Sequence, residues 1–337
     1  MPDRREQRTG SGGTGPWSAA LAWLGRARTR LLVPWVVRSG IERLHERLDA
    51  LERRVRLLQQ ASGRIETRQT AATDDPDLGA NEFRVFSQWG EDGIIQHLVR
   101  KVPIARDTFV EIGVETYEEA NTRFLMLNDN WSGVLVDGSE WCIERIRASR
   151  AYWLHDLRAI HAFVTRENVD EVLEAAGVTE EIGLLSIDID GMDFWVWEAL
   201  SVVSPAIVVI EYNHRFGSEA SVTVPYAPDF ERRAAHPSIL YYGASLRALC
   251  RLGDRKGYAF VGAGSAGLNA FFVRRDCLPE DVPVRTPEDG FVGGRFSEAH
   301  DQQGRRVRMT PEEEKRLVES LPLVEIGPDG RPAGEVS

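Results

Sequence analysis

Cysteine is scarce in this chain. Its 337 residues hold three, Cys142, Cys250 and Cys277, far apart and in no CxxC or Cys/His cluster. That excludes a disulfide framework or a zinc knuckle and fits a reducing compartment. Long apolar runs are missing as well. No stretch reaches ~18 consecutive apolar residues, so no transmembrane helix is expected. The N-terminus lacks a secretory apolar core with a small-residue cleavage site. A cytoplasmic protein is the expectation. Positive charge is short over most of the length. Against a net charge of -11, residues 1–73 hold 14 Arg and 7 acidic residues, a balance of +7, which leaves -18 on the rest. Phosphate affinity comes mostly from Lys and Arg, so an acidic body excludes general nucleic-acid binding. The basic arm is expected to have a partner of its own.

What is present divides into segments. Residues 1–16 are Gly-rich and polar and are expected to be disordered. Residues 17–38 combine Trp17, Trp23 and Trp35 with Arg26, Arg28, Arg30 and Arg38. That is the composition of an interfacial helix on anionic lipid, placing the protein peripherally at the inner face of a membrane, or of a segment docked on the body or a partner. Pro34 is expected to interrupt the helix. In residues 39–70 the period becomes strict. Ile41, Leu44, Leu48, Leu51, Val55 and Leu58 alternate spacings of three and four, and Ile65 rejoins the register a heptad later. This is an a/d seam, which predicts a short coiled coil and a homo-oligomer through residues 41–65. Residues 71–82, "TAATDDPDLGAN", read as a linker, residues 83–325 as one domain and residues 326–337 as a tail.

From Phe83 onward short apolar runs alternate with amphipathic helices. "TFVEIGV", "SGVLVDGS", "HAFVT", "GLLSIDI" and "AIVVIEY" read as strands, each followed by a helical stretch up to the fourth. Near-continuous apolar strands between helices are what a parallel sheet covered on both faces requires. "YAFVGAG" and "LNAFFVRR", joined by "SAG", read as a hairpin. The fold class is therefore α/β, a Rossmann-like sheet of about five parallel strands plus a C-terminal antiparallel hairpin, with an N-terminal helical coiled-coil extension. In "MTPEEEKRLVESLP", Thr310 and Pro311 mark the start of a closing helix.

In an open parallel sheet, ligands bind at the carboxyl ends of the strands. The first strand ends with Glu111 and Gly113, the second with Asp137 and Gly138, the fourth with Asp188 and Asp190, the fifth with Glu211, Asn213 and His214. Asp137 is the most specific. An acid ending the second strand is placed to accept hydrogen bonds from both ribose hydroxyls. "GVET" after the first strand lacks the further glycines of G-x-G-x-x-G, so no pyrophosphate cradle, and hence no NAD, is indicated. Asp193, after Gly191, is expected to cap the helix that starts at Phe194. Asp188 and Asp190, two apart, share one face of an ideal strand, and Glu211 and Asn213 end its neighbour. These four could hold Mg²⁺ beside a substrate hydroxyl, or a carboxylate or His214 could act as general base without metal. Gln88, Glu91 and Asp92 in "FSQWGEDG" are candidate cofactor contacts or helix caps. Arg215, Tyr226, His236, Tyr241 and Tyr242 belong to a loop that either recognises a hydroxyl-rich acceptor or packs internally.

Residues 83–325 resemble a bacterial family of S-adenosylmethionine (SAM) dependent methyltransferases found with surface-polysaccharide genes, and distantly the FkbM-type sugar and polyketide methyltransferases. The stretches that carry the resemblance are "FSQWGEDGII", "FVEIGVETYEEANTRFL", "WSGVLVDGS", "LLSIDIDGMDFWVWEAL", "VVIEYN", "YYGASLRAL" and "NAFFVR". It implies SAM near Glu111, Gly113 and Asp137, acceptor chemistry near Asp188, Asp190 and Glu211, and a glycan or glycolipid acceptor. "EIGVET" departs from the E/D-x-G-x-G-x-G loop of SAM enzymes. Two rival readings remain at this stage: a metal-dependent hydrolase or sugar-modifying enzyme using the carboxylates, and a non-catalytic subunit of a glycan assembly complex.

Overall fold

The structure, a computed structural model, describes residues 16–333, with side chains from residue 40 onward. The expected disorder of residues 1–16 falls outside this range save for Pro16, and so do the Trp and Arg side chains of 17–38. One helix runs over Pro16–Thr73. It continues past Pro34, where the sequence suggested a break; proline withholds one amide from the ladder, and the flanking turns carry on. The described residues fall into two units that divide between Gln59 and Gln60. The body therefore takes in residues 60–82, ahead of the boundary expected at 83. Gly63 is the reason: a Cβ there would stand 2.6 Å from Val85 and 2.7 Å from Phe124, so the missing side chain lets the helix seat on those two residues. The expected linker is ordered too. Asn81 is buried and donates to the carbonyls of Asp75 and Asp77, both at 2.8 Å.

Among the described residues nine strands follow: β1 Thr108–Ile112, β2 Ser132–Asp137, β3 Leu157–His161, β4 Glu180–Ile187, β5 Val203–Glu211, β6 Val222–Thr223, β7 Tyr258–Ala263, β8 Asn269–Arg274 and β9 Val324–Glu325. Seven form one sheet in the order β3-β2-β1-β4-β5-β8-β7. β1 to β5 are parallel, and β8 runs antiparallel between β5 and β7. This is the Rossmann-like sheet of parallel strands with a C-terminal antiparallel hairpin that the strand pattern predicts. Alternate residues feed separate cores. Ile207 and Val209 of β5 belong to one, Val208 and Ile210 to the other, all fully buried. A strand buried on both faces has no polar side to show, which is why these segments read as continuous apolar runs.

Two local expectations are corrected. β3 lies at Leu157–His161, earlier than "HAFVT", which instead forms the loop leaving the strand. "LRAIH" carries Arg158 and His161 among its apolar residues because β3 is the edge strand, and the continuous-run criterion passes over it. The expected tail also folds back: β9 pairs antiparallel with β6, and Ile326 is buried with its amide bonded to the Ser221 carbonyl at 2.8 Å. The closing helix Pro311–Glu319 starts as expected, with a reciprocal Thr310–Glu313 capping box.

Candidate functional site

The chain steps outward from β1 to β2 and β3, then returns to the other side of β1 for β4. The switch point lies between β1 and β4, where a crevice opens at the carboxyl edge. A cavity of about 200 Å³ sits there. Its floor is Ile112, the last residue of β1, with Gly113 after it, and Val136 and Asp137, the last residues of β2, with Gly138 after them. One wall is Ala162–Thr165 after β3; another is Asp188, Ile189, Asp190 and Met192 after β4. Tyr226, Ala227, Pro228 and Phe230 cover it.

Asp137 organises the β1–β2 side of the cavity. Its Oδ2 accepts the Glu115 amide at 2.7 Å and its Oδ1 the Ser139 amide at 2.8 Å. The loops leaving β1 and β2 are thus pinned to one carboxylate at the cavity rim. Gly113 has φ +86° and donates to the Val136 carbonyl at 2.9 Å; a Cβ there would collide with the Asp188 carbonyl oxygen. Glycine here brings the exits of β1 and β4 into backbone contact.

The acidic side holds Asp188, Asp190 and Glu211, each with one carboxylate oxygen within 4.8 Å of the others'. They do not meet by sharing a strand face, as the spacing suggested. β4 ends at Ile187, and Asp190 sits at φ +57°, so a left-handed turn carries it back toward Asp188. Burial raises the pKa of Asp188 well above the carboxylate range, and the neighbouring Asp190 and Asp193 push the same way. Glu211 is raised well above it too, by burial and then by Asp188 and Asp190. Its Oε2 is buried without a hydrogen-bond partner among the described residues. A cation already stands at this cluster. Arg232 donates to Asp190 at 2.6 Å and to Glu298 at 2.5 Å, with its guanidinium 3.8 Å from the centre of the Tyr242 ring. Burial opposes the charge of Arg232, but Tyr242 and the carboxylates Glu211, Glu298 and Asp190 outweigh it and raise its pKa. Nothing in the sequence pattern singled out Arg232.

Three expected site residues are placed elsewhere, and an expected helix cap bonds otherwise than foreseen. Glu111 does not line the cavity. It is buried beneath the next loop, accepting the Asn121 amide at 2.9 Å, the Thr122 amide at 3.2 Å and the Thr122 hydroxyl at 2.5 Å. Asn213 is turned away from Glu211. Its Nδ2 serves the carbonyls of Leu240 and Tyr242 at 2.9 and 3.0 Å, and its Oδ1 accepts the Arg215 amide at 3.2 Å. His214 packs edge-on against Phe296 and over Gly294, away from the cavity; burial lowers its pKa to about 3. Asp193 is structural, but it bonds backward rather than capping forward, accepting the Ile189 amide at 2.9 Å and the Gly191 amide at 3.0 Å.

The other candidates are absorbed by the fold. Glu91 accepts from Asn269 at 3.0 Å and from the Trp89 amide at 2.9 Å. Asp92 gathers the amides of Val85, Phe86 and Ser87, each at 2.7 Å. Of Arg215, Tyr226, His236, Tyr241 and Tyr242, it is Tyr226 that lines the cavity, beside Phe230 and with its hydroxyl on Glu167. Arg215 is buried between Glu314 and Glu298, and Tyr241 donates to the Pro322 carbonyl at 2.5 Å. Phe163, Val164 and Thr165 line the cavity because β3 ends earlier than the sequence pattern placed it.

No family model matches this chain, and neither does any curated protein. Solved structures do. The chain is similar to an O-methyltransferase from Bacillus cereus in complex with SAH, at 14% identity over 63% of this chain and 89% of that one, TM-score 0.33. It is also similar to a SAM-dependent methyltransferase from Aquifex aeolicus, at 9% identity over 62% and 98%, TM-score 0.35. A third is a SAM-dependent methyltransferase from Clostridium acetobutylicum, at 13% identity over 37% of this chain, TM-score 0.29. The chain spans 50% of the length of that last structure. Overlaps this loose carry no functional argument, and the reading below rests on the sheet and the cavity.

Proposed function

We propose that the chain is a SAM-dependent O-methyltransferase acting on a hydroxyl of a glycan or glycolipid intermediate at the cytoplasmic face of the membrane. One observation carries the reading: an acidic residue ending β2, Asp137, and two carboxylates following β4, Asp188 and Asp190, line one cavity at the switch point, with Glu211 at the end of β5 standing against those two. The residues fit the cofactor. Asp137 presents its carboxylate at the cavity rim for the ribose hydroxyls, and Gly113 and Gly138 leave the floor free of side chains. A bound SAM would supply an electrophilic methyl group. The protein's part is to hold the acceptor hydroxyl and take its proton. Asp188 is suited to that, because burial has moved its pKa upward, toward the range where a general base works. Asp190 holds the Arg232 side of the site. The acceptor class is supported by the sequence resemblance, and the membrane placement by the Trp/Arg composition of residues 17–38.

Mg²⁺ assistance is part of the proposal. Asp188, Asp190 and Glu211 are oxygen donors of the right kind, and the unpartnered Oε2 of Glu211 suits such an ion. The ion would lower the pKa of the acceptor hydroxyl, and it would share Asp190 with Arg232. The same cluster supports the second reading, a metal-dependent hydrolase or sugar-modifying enzyme that needs no SAM. The deciding experiment is calorimetric titration of SAM into the full chain, with and without Mg²⁺, with Asp137→Ala in parallel. The expected result is micromolar binding that weakens at least ~30-fold in the variant, the loss of a bidentate charged contact. No binding in either buffer would overturn the methyltransferase reading and leave the metal enzyme.

A further inference from the structure

Residues 41–65 form part of the helix Pro16–Thr73 and have no role in the cavity. Along them the large apolar side chains are unusually open to solvent: Ile41 is 49% exposed, Leu44 56%, Leu48 46%, Leu51 54%, Val55 53%, Leu58 70% and Ile65 54%. Leaving so many apolar groups in water on one stripe is unfavourable by roughly 1 kcal/mol or more each, so the stripe calls for a partner. Where the helix seats on Val85 and Phe124 it does so through Gly63, two positions before Ile65, and Ile65 stays open.

We infer that two copies of the chain pair through residues 41–65 as a parallel, in-register, two-stranded coiled coil. Three features of the sequence fix the occupant and its direction. First, the a positions are Ile41, Leu48, Val55 and Ser62, and the d positions Leu44, Leu51, Leu58 and Ile65. β-branched residues at two of the three apolar a positions, with leucine at the first three d positions, favour a parallel dimer over higher orders. Second, the flanking charges match that orientation. Arg47 occupies a g position and Glu52 the e position five residues on. In a parallel in-register pair, Arg47 of each copy meets Glu52 of the other, twice by symmetry. An antiparallel pair sets g beside g and e beside e, which brings Arg47 and Arg54 against arginine and Glu52 against Glu52. Third, Glu52 is held within its own helix by Arg56 at 3.5 Å, the outer limit of a hydrogen bond, so a second cation from across the seam adds to its pairing. The paired length is about 37 Å, enough for an association that isolated helices of this size do not sustain alone.

The test uses the full chain. Sedimentation velocity at micromolar concentration is expected to give a dimer. Leu48→Glu with Val55→Glu is expected to give a monomer whose body unfolds as before. In a Cys277→Ser background, Leu44→Cys is expected to cross-link the two copies on mild oxidation, while the background alone stays uncross-linked. Arg47→Glu and Glu52→Arg are each expected to weaken the dimer several-fold, and the double variant to restore most of the loss. A monomer, a trimer or tetramer, a dimer that survives the seam variants, failure of the position-44 cross-link, or a double variant no better than the singles would overturn the inference.

Discussion

At the exit of β1, Gly113 combines a left-handed φ of +86° with direct apposition to the Asp188 carbonyl. Gly113→Ala meets both penalties together, backbone strain and a steric clash against main chain. Chemical denaturation is expected to show a loss of at least ~3 kcal/mol. Asp92 gives a pH signature. Burial raises its pKa from 3.8 to about 6, while the amides of Val85, Phe86 and Ser87 and the Ser87 hydroxyl pull it down. A carboxyl with a raised folded-state pKa favours the native state below its unfolded value and loses that contribution as pH rises through the folded one. The window is thus about pH 4 to 6, and Asp193, also raised to about 6, acts in the same sense. Asp92→Asn can keep the bonds made to Oδ2, because Oδ1 has no partner among the described residues. Melting temperatures across that window are expected to fall less steeply in the variant. At this scale the sequence was informative about residue type and less so about partners. Asp137, Asp188, Asp190 and Glu211 stand where strand ends put them. Glu111 and Asn213 also end strands, yet they satisfy local backbone groups, because a buried polar side chain takes the nearest complementary group. No spacing rule records which group that will be.

At the level of elements, the segment between β6 and the helix Leu246–Lys256 carries the surprise. Arg232 reaches from it to Asp190, Glu298 and the carbonyl of Ile239, beneath the ring of Tyr242. Its side chain is 14% exposed, whereas that of Asp190 is 62% exposed. Arg232→Gln removes the charge facing three crowded carboxylates without opening a large void. The expected cost is about 2 kcal/mol, below that of a fully buried pair because Asp190 keeps access to water. Thermal unfolding with Asp190→Asn and the double variant would measure the coupling as a cycle. The sheet itself was legible, since parallel strands buried on both faces must be apolar throughout. The edge strand β3 was misplaced for the converse reason. The segment that carries Arg232 was illegible: an arginine that reaches across forty-two residues to an aspartate leaves no periodic trace.

For the molecule as a whole, the boundary of the body inside a continuous helix has a measurable outcome. A chain starting at Gln60 is expected to keep the melting temperature of the body, because the compact unit begins there. A chain starting at residue 76 strips the helix from Val85 and Phe124 and is expected to lose roughly 1–3 kcal/mol of stability. Composition alone favoured the later boundary, since the heptad pattern conceals that the same helix changes employment midway.

The contact between Gly113 and the Asp188 carbonyl joins two halves of the crevice. Through it the carboxylate cluster touches a backbone that continues two residues to Glu115, whose amide rests on Asp137. Neither half can shift without pressing on the other, as no side chain lies between them to absorb the motion. On the reading proposed above, donor and acceptor would then enter a shared allosteric account: whatever occupancy of one does to the affinity of the other must be returned by the same factor.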